Sequence, residues 1–273
     1  MKLLSLKITS DFRNLKGVNL QFDPANDTYV IIGNNGTGKT NILEALSSVF
    51  SVLLAHSQDF LFSFVLRYNI GDVEYWVRHK IDTKTTEYKK NNEVVNEAGM
   101  TYPNRIVCNY SGEDTRMWNN YYKKPNEDYM NSVRTAAAPD VLSMVYIDKT
   151  MWKYVLLCML TTRNMNVAFD RFLKEKLHIA SDGINTVEMK LDEAKLRRWR
   201  AENQITLFLN QLRHRLGSNE VLASSNVEDF NPNEDDAREL FNKFIGASQV
   251  IDSLNIYYNQ GIESAFLSEG EKK

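Results

Sequence analysis

The spacing of hydrophobic and polar positions predicts a chain that begins with strands and then forms a helix. Apolar residues alternate with polar ones at positions 4, 6 and 8 and again at 18, 20 and 22, which predicts two half-buried strands. The apolar, β-branched run Tyr29–Ile32 predicts a third strand. From Asn41 to about Leu54 the apolar spacing becomes helical, so an amphipathic helix is expected soon after that strand.

A β-rich meander is predicted next. Phe60–Tyr68 and Val73–Asp82 have the pattern of strands joined by a hairpin turn at Asn69–Asp72, and two shorter strands flank residues 89–92. Arg105–Tyr110 has the composition of a short buried strand in an α/β core. The meander therefore predicts an antiparallel sheet beside that core.

Helical spacing dominates the second half of the chain. The predicted helices are Lys149–Thr162, Val167–Leu177, Ala194–Leu216 and Asp236–Phe244. The third of these has an expected core face at Leu196, Trp199, Ile205, Phe208, Leu209 and Leu212. Residues 217–236 predict a polar loop, and Val250–Tyr258 predicts a strand. We expect three regions: a core lobe with the antiparallel subdomain at 1–148, a helical insertion at 149–248, and a return strand with a terminal motif at 249–273.

A glycine-rich loop follows the third predicted strand. Residues 33–40 fit the phosphate-binding pattern G-x-x-x-x-G-K-[ST]. Glycines let backbone N–H groups point at phosphate oxygens, and the helix that follows adds the positive end of its dipole. Lys39 supplies a mobile charge for the β- and γ-phosphates, and the Thr40 hydroxyl is a Mg²⁺ ligand. The sequence therefore predicts an α/β P-loop NTPase that binds ATP and Mg²⁺, with Lys39 as a catalytic residue.

Composition narrows the function only slightly. The 273 residues are 43% hydrophobic and 25% charged, with a net charge of -2, so no global basic field attracts nucleic acid. The locally basic segment 195–200 fits either a solvated helix face or a contact with DNA or RNA phosphates. Cys108 and Cys158 lie in apolar surroundings without metal-ligand spacing, and no signal peptide or membrane-spanning run is evident. We expect a cytoplasmic protein that does not enter a membrane.

A second motif lies at the carboxyl terminus. Leu267–Lys272 resembles the signature motif of ATP-binding-cassette (ABC) ATPases, written L-S-[GE]-G-[EQ]. A serine hydroxyl, a glycine amide and a helix start at this motif form a second anion site. Taken alone, it is better explained as a serine that caps a helix with acidic residues in its first turn. Its order after the phosphate loop and a helical insertion favours the ABC interpretation.

The amino terminus agrees with that interpretation. Residues 8–15, with Phe12-Arg13-Asn14, resemble the opening of the RecF and SMC branch of these ATPases, and residues 33–40 resemble its G-x-N-G-x-G-K-[ST] loop. The resemblance implies that Arg13 approaches the phosphates and Asn14 the ribose or base. It gives these nucleotide-binding residues: Arg13, Asn14, Asn34, Asn35, Gly36, Thr37, Gly38, Lys39, Thr40, Asn41, Ser268 and Gly270.

Two departures from the family pattern limit the resemblance. The glutamine that senses the γ-phosphate after a mid-chain strand is not found here, and Asn109, Ser111 and Glu113 are the candidates for its role. The strand ending in Asp-Glu, which carries the catalytic glutamate, and the switch histidine would follow the signature motif. We therefore expect an N-terminal portion of a longer ATPase, inactive in hydrolysis by itself.

The resemblance implies a mechanism and partners. In the family two ATP molecules are held in a head-to-tail homodimer, so that Ser268 and Gly270 of one subunit would face ATP bound at Lys39 and Thr40 of the other. The short helical insertion favours a compact ATPase like RecF or the overcoming-lysogenization-defect and Septu types. Such ATPases control a nuclease in antiphage defence, either as a partner or as a fused domain, or they act in DNA repair. DNA is therefore a further possible partner. A nucleotide-stabilised scaffold without turnover is the alternative, and a membrane transporter ATPase is disfavoured.

Overall fold

A computed structural model describes residues 1–110, 115–148, 151–176, 184–217, 220–258 and 262–263. The chain divides into two compact units. The first is drawn from Met1–Cys108, Gly112–Pro125 and Leu142–Tyr146, and the second from Asn109–Ser111, Asn126–Val141 and Ile147–Lys273. The three predicted regions, with boundaries at 148 and 248, stay a prediction.

A six-stranded antiparallel sheet and one long helix form most of the first unit. The elements are β1 (Lys2–Ile8), β2 (Asn19–Gln21), α1 (Lys39–Leu54), β3 (Phe64–Ile70), β4 (Val73–Lys80), β5 (Thr85–Lys90) and β6 (Glu93–Val95). The strand order is β2-β1-β3-β4-β5-β6, and every neighbouring pair is antiparallel. Alternate side chains from the sheet and the apolar face of α1 share one core, which includes Leu6, Ile8, Ala45, Val49, Phe64, Leu66 and Val77.

Most of the predicted elements of this unit are confirmed. The helix after the phosphate loop ends at Leu54 as expected, and the turn before Val73 joins an antiparallel hairpin. The strand predicted from Phe60 begins only at Phe64, and the strand at positions 18–22 is shortened to Asn19–Gln21. The fold is the mixed α/β P-loop NTPase architecture that the sequence predicts, with its antiparallel meander.

The strand predicted at Tyr29–Ile32 is wrong for the structure. These residues carry no strand pairing, and Val30 is 77% and Ile32 89% exposed. The physical reason is that a strand needs a neighbour to satisfy its backbone groups. No strand among the described residues pairs with this run, so its β-branched composition alone does not create a strand.

A smaller set of elements follows the meander. It comprises β7 (Ile106–Asn109), a π-helical turn at Trp118–Tyr122, α2 (Lys123–Thr135) and β8 (Met144–Ile147), with β7 paired to β8. Met117, Tyr121, Tyr122 and Met144 form a second buried cluster in the first unit. The prediction of a buried strand here is wrong in its burial, because β7 forms only a two-stranded sheet and Val107 is 56% exposed. The sequence patterns did not identify α2 or β8.

The second unit combines a four-stranded antiparallel sheet with helices. Its elements include α3 (Trp152–Thr161), α4 (Val167–Lys176), β9 (Ile184–Leu191), α5 (Glu193–Leu196), α6 (Gln204–Leu216), β10 (Val221–Ser224), α7 (Ala237–Ala247), β11 (Ile251–Tyr258) and β12 (Ile262–Glu263). The sheet order is β10-β9-β11-β12. The helices at 152, 167 and 237 and the strand at 251 confirm four predictions, whereas β9 was not predicted. Lys149, Thr150 and Leu177 lie outside the described residues.

Two predictions for this unit are wrong. The helix expected at Ala194–Leu216 is interrupted, because the Asn203 side chain accepts hydrogen bonds from the amides of Ile205 and Thr206 and so begins a new helix. Four of its six expected core residues, Ile205, Phe208, Leu209 and Leu212, are buried, whereas Leu196 and Trp199 lie before the new helix and are only partly buried. The loop predicted at 217–236 contains β10, whose register with β9 pairs Leu222 with Met189.

None of the helices among the described residues has the length and hydropathy needed to span a membrane.

Candidate functional site

The glycine-rich loop has the tight curvature that its sequence predicts. Gly36 and Gly38 adopt φ values of 83° and 93°, in the left-handed region that residues with a side chain rarely adopt. Thr37 closes the loop, since its amide and its Oγ1 both donate to the Asn34 carbonyl, at 3.4 and 2.9 Å. The Lys39 Nζ donates to the carbonyls of Gly33 and Asn34, each at 2.7 Å. The Lys39 side chain therefore folds back onto the loop and bonds to two of its backbone carbonyls.

The start of α1 has the properties of an anion site. Gly38 is its N-cap and provides no side-chain hydrogen bond, and the first turn contains no acidic residue. The first backbone bond of the helix runs from the Ile42 amide to the Gly38 carbonyl at 3.0 Å. The amides of the preceding residues of the first turn, including Thr40, are thus available at the positive end of the helix dipole.

A turn from the amino-terminal strand is bound to this loop. The Asn14 Nδ2 donates to the Gly36 carbonyl at 2.9 Å, and its Oδ1 accepts from the Asn41 Nδ2 at 2.6 Å. Phe12 and Leu15 anchor the turn, because both are buried and exchange two backbone hydrogen bonds of 3.1 and 2.8 Å. Asn14 therefore connects the predicted phosphate loop to the predicted Phe12-Arg13-Asn14 turn.

The turn also lies close against Gly38 of the loop. A Cβ at Gly38 would lie 2.8 Å from both the Asn14 Oδ1 and the Leu15 Cδ2. A Cβ at Gly33 would lie 2.8 Å from the Thr37 Oγ1. Two of the pattern's glycines thus leave space that any side chain would fill. The loop residues fit a triphosphate with respect to space, amide donors and positive charge.

A buried carboxylate lies one turn further along α1. Glu44 is 1% exposed, and its two oxygens bind two arginines: Arg13 through Nε at 3.2 Å and Arg116 through a terminal amino group at 2.7 Å. Sequence reasoning missed both Glu44 and Arg116. The available signal was an acidic residue between Ile42 and Ala45, on the apolar side of an otherwise amphipathic helix.

The structure brings together ten of the twelve predicted nucleotide-binding residues. They are Arg13, Asn14, Asn34, Asn35, Gly36, Thr37, Gly38, Lys39, Thr40 and Asn41. Ser268 and Gly270 lie outside the described residues, as do Ser111 and Glu113. Asn109 is exposed at the end of β7. Among the described ranges, no three His, Cys, Asp or Glu side chains group as metal ligands.

Comparisons with known proteins give one family and one solved structure. The model of the AAA ATPase domain family matches residues 1–243. A solved structure of the recombination mediator protein RecF with ATP, from the RecFOR pathway, aligns with 99% of this chain and 77% of its own, at 17% sequence identity and a TM-score of 0.32. No curated protein matches the chain.

Proposed function

The chain belongs to the AAA ATPase domain family, and from that premise we propose that it binds ATP with Mg²⁺ at the Gly33–Thr40 loop as part of an ATP-hydrolysing switch. The observation that carries the proposal is the loop itself: two left-handed glycines, an uncapped helix start and a lysine on the loop carbonyls. A turn with a purely structural role does not require these three features together. A loop of the G-x-x-x-x-G-K-[ST] type uses all three to hold nucleotide phosphates.

Each residue of the loop has a defined contribution to ATP binding. The amides around Gly36 and at the start of α1 would hold phosphate oxygens, and Lys39 would exchange its contacts with the Gly33 and Asn34 carbonyls for phosphate oxygens. Thr40 would provide a hydroxyl ligand for Mg²⁺, which supplies charge neutralisation at the β- and γ-phosphates. Asn14 and Asn41 hold the loop in shape from outside.

We extend the proposal to a homodimer that forms around ATP and regulates a DNA-directed activity. The support is the resemblance of the Phe12–Asn14 turn, the G-x-N-G-x-G-K-T loop and the 267–272 motif to the RecF and SMC branch. Ser268 and Gly270 would contact the nucleotide of the partner subunit. A nuclease, fused or separate, is the proposed target of control, in antiphage defence or DNA repair.

Nucleotide binding by a Lys39→Ala variant tests the first part. We expect at least a ten-fold loss of ATP affinity in calorimetry, because hydrogen bonds from a charged donor are each worth about 1.5–3 kcal/mol. Lys16→Ala is the matched control, since Lys16 lies on the amino-terminal turn with an 84% exposed side chain whose ion pair among the described residues is with Asp11 at 3.5 Å. Equal affinity in wild type and Lys39→Ala would contradict ATP binding at this loop.

Sedimentation with ATP and with ADP tests the second part. A dimer that forms with ATP and dissociates with ADP supports a switch. ATP binding without turnover in the complete protein, together with partner binding that Lys39→Ala does not alter, would instead favour the nucleotide-stabilised scaffold.

A further inference from the structure

Two arginines share one buried carboxylate beside the phosphate loop. Glu44 is enclosed on α1, whereas the side chains of Arg13 and Arg116 are 36% and 39% exposed. A buried carboxylate is stable only when paired, but pairing alone would be satisfied by one arginine. Glu44 accepts the Nε–H of Arg13, which leaves the two terminal amino groups of that guanidinium for another acceptor.

The backbone holds Arg13 in an unusual conformation at the tip of its turn. Its φ of 54° is unusual for a residue with a side chain, and the buried side chains of Phe12 and Leu15 hold it on the exposed tip of its turn. The adjacent Asn14 is bonded to the Gly36 carbonyl of the phosphate loop. The guanidinium held by Glu44 is therefore one residue away from a direct contact with that loop.

Tyr121 adds a third polar group to the same place. Tyr121 is 4% exposed, and its hydroxyl lies within reach of the Arg13 guanidinium but has no acceptor for its own proton among the residues that the structure describes. Burial raises the pKa of Tyr121, the nearby Glu44 carboxylate raises it further, and the Arg13 and Arg116 guanidiniums oppose the rise. A buried hydroxyl whose proton has no acceptor costs stability, so its retention calls for a reason.

The local helix geometry directs this hydroxyl. Tyr121 and Tyr122 lie in the π-helical turn Trp118–Tyr122, a form that is rare and frequent at functional sites. The neighbouring Tyr122 hydroxyl is satisfied by Ser47 on α1, at 2.9 Å. Two adjacent tyrosines thus face the same helix: Tyr122 is bonded to it, and Tyr121 lies beside the Glu44 cluster with no acceptor for its hydroxyl proton.

We propose that Glu44 is a positioning residue that holds Arg13 and Arg116 as a paired guanidinium site for the terminal phosphate of ATP, with the Tyr121 hydroxyl as a further donor. The assignment rests on the proposed ATP binding. The loop amides and Lys39 hold the phosphates from the side of the loop, and the terminal phosphate carries the largest charge and benefits most from further cations. The site therefore distinguishes ATP from ADP.

The test measures ATP and ADP affinity, each with Mg²⁺, in Tyr121→Phe and Arg116→Gln. Glu44→Gln is avoided as the main variant because a change at a buried carboxylate that pairs with two arginines endangers folding. Arg67→Gln is the matched arginine control, since Arg67 has a 44% exposed side chain paired with Glu74 at 2.8 Å on the sheet. Tyr122→Phe is the matched tyrosine control, because it removes a hydroxyl that is already bonded.

The two tyrosine variants should behave in opposite ways. Tyr121→Phe should keep or raise the melting temperature of the free chain and weaken ATP binding about two- to ten-fold, with ADP binding unchanged. Tyr122→Phe should lower the melting temperature and leave the ratio of ATP to ADP affinity as in wild type. A merely structural role of Tyr121 does not predict this combination.

Arg116→Gln should weaken ATP binding about ten-fold or more while ADP binding stays within two-fold of the Arg67→Gln control. Equal losses for ATP and ADP, or losses no larger than in the control, would overturn the terminal-phosphate assignment while ATP binding at the loop stands. A wild-type chain that binds neither nucleotide would overturn the proposed function and this assignment with it.

Discussion

Replacement of Gly38 by alanine tests the contact between the phosphate loop and the amino-terminal turn. The new Cβ would lie 2.8 Å from the Asn14 Oδ1 and the Leu15 Cδ2, closer than real Cβ atoms approach other atoms. Leu15 is 3% exposed and cannot move into solvent without uncovering the core. The turn that carries both residues must therefore shift away from the loop, and the Asn14 bonds to Gly36 and Asn41 are lost or lengthened.

The magnitude follows from two terms. An alanine at a φ of 93° costs about 1–2 kcal/mol of backbone strain. The two Asn14 hydrogen bonds contribute about 0.5–1.5 kcal/mol each, which adds about 1–3 kcal/mol. Gly36→Ala is the matched control, because Gly36 has a φ of 83° but no atom within 4 Å of its Cβ position. Gly38→Ala should then be about 1–3 kcal/mol more destabilising than Gly36→Ala.

Hydrogen exchange measured by mass spectrometry is the appropriate assay, since it reports opening free energies segment by segment in a chain with two compact units. Peptides covering residues 10–16 and 33–42 should lose protection together in Gly38→Ala. In Gly36→Ala only the loop peptide should do so. Equal protection of residues 10–16 in both variants would refute the reasoning that the turn is held by the loop.

Three further predictions concern other parts of the chain. Asn203→Ala should destabilise the second unit by about 2–4 kcal/mol in urea unfolding, because Asn203 caps α6 and donates to the carbonyls of Val133 and Ala136. Asn203→Ser, which keeps a capping oxygen without a charge, should lose less. Burial lowers the pKa of His79, so below about pH 6.5 the unfolded state binds more protons than the folded state. The free energy of unfolding should therefore fall as the pH is lowered, by up to about 1.4 kcal/mol per pH unit. The fall should be smaller in His79→Gln, and the same pH profile in both proteins would contradict the prediction. Ile32→Thr should change stability by less than about 0.5 kcal/mol, because Ile32 is 89% exposed; a large loss in thermal unfolding would mean that this run is packed as a strand.

The sequence predicted well wherever its local pattern was also the structural cause. Helix α1 combines a glycine start with helical apolar spacing, and the hairpin at Ile70–Val73 combines two alternating strands with a glycine turn. The phosphate-loop residues and the Phe12–Asn14 turn were likewise identified by residue type and spacing. Their direct contact through Asn14 shows that the two motifs belong to one local structure.

The failures share a different physical origin. The Tyr29–Ile32 run has strand composition, but strand formation depends on a pairing partner that composition does not reveal. The break before Asn203 was hidden because apolar spacing continues across it, and the capping bonds that decide the matter come from a single side chain. Glu44 and Arg116 are 72 positions apart in the chain, so only the fold brings them into contact.

The Asn14 contact with Gly36 also determines when the entropy of the loop is lost. A glycine-rich segment that is free in solution must be ordered by its ligand, at a cost of about 1–2 kcal/mol for each residue fixed. Here the Asn14 contact with Gly36 orders part of that segment while the chain folds, so the ligand binds to a loop that is already ordered. Removal of the Asn14 side chain would therefore weaken association through its entropy, with the enthalpy of phosphate contact largely retained.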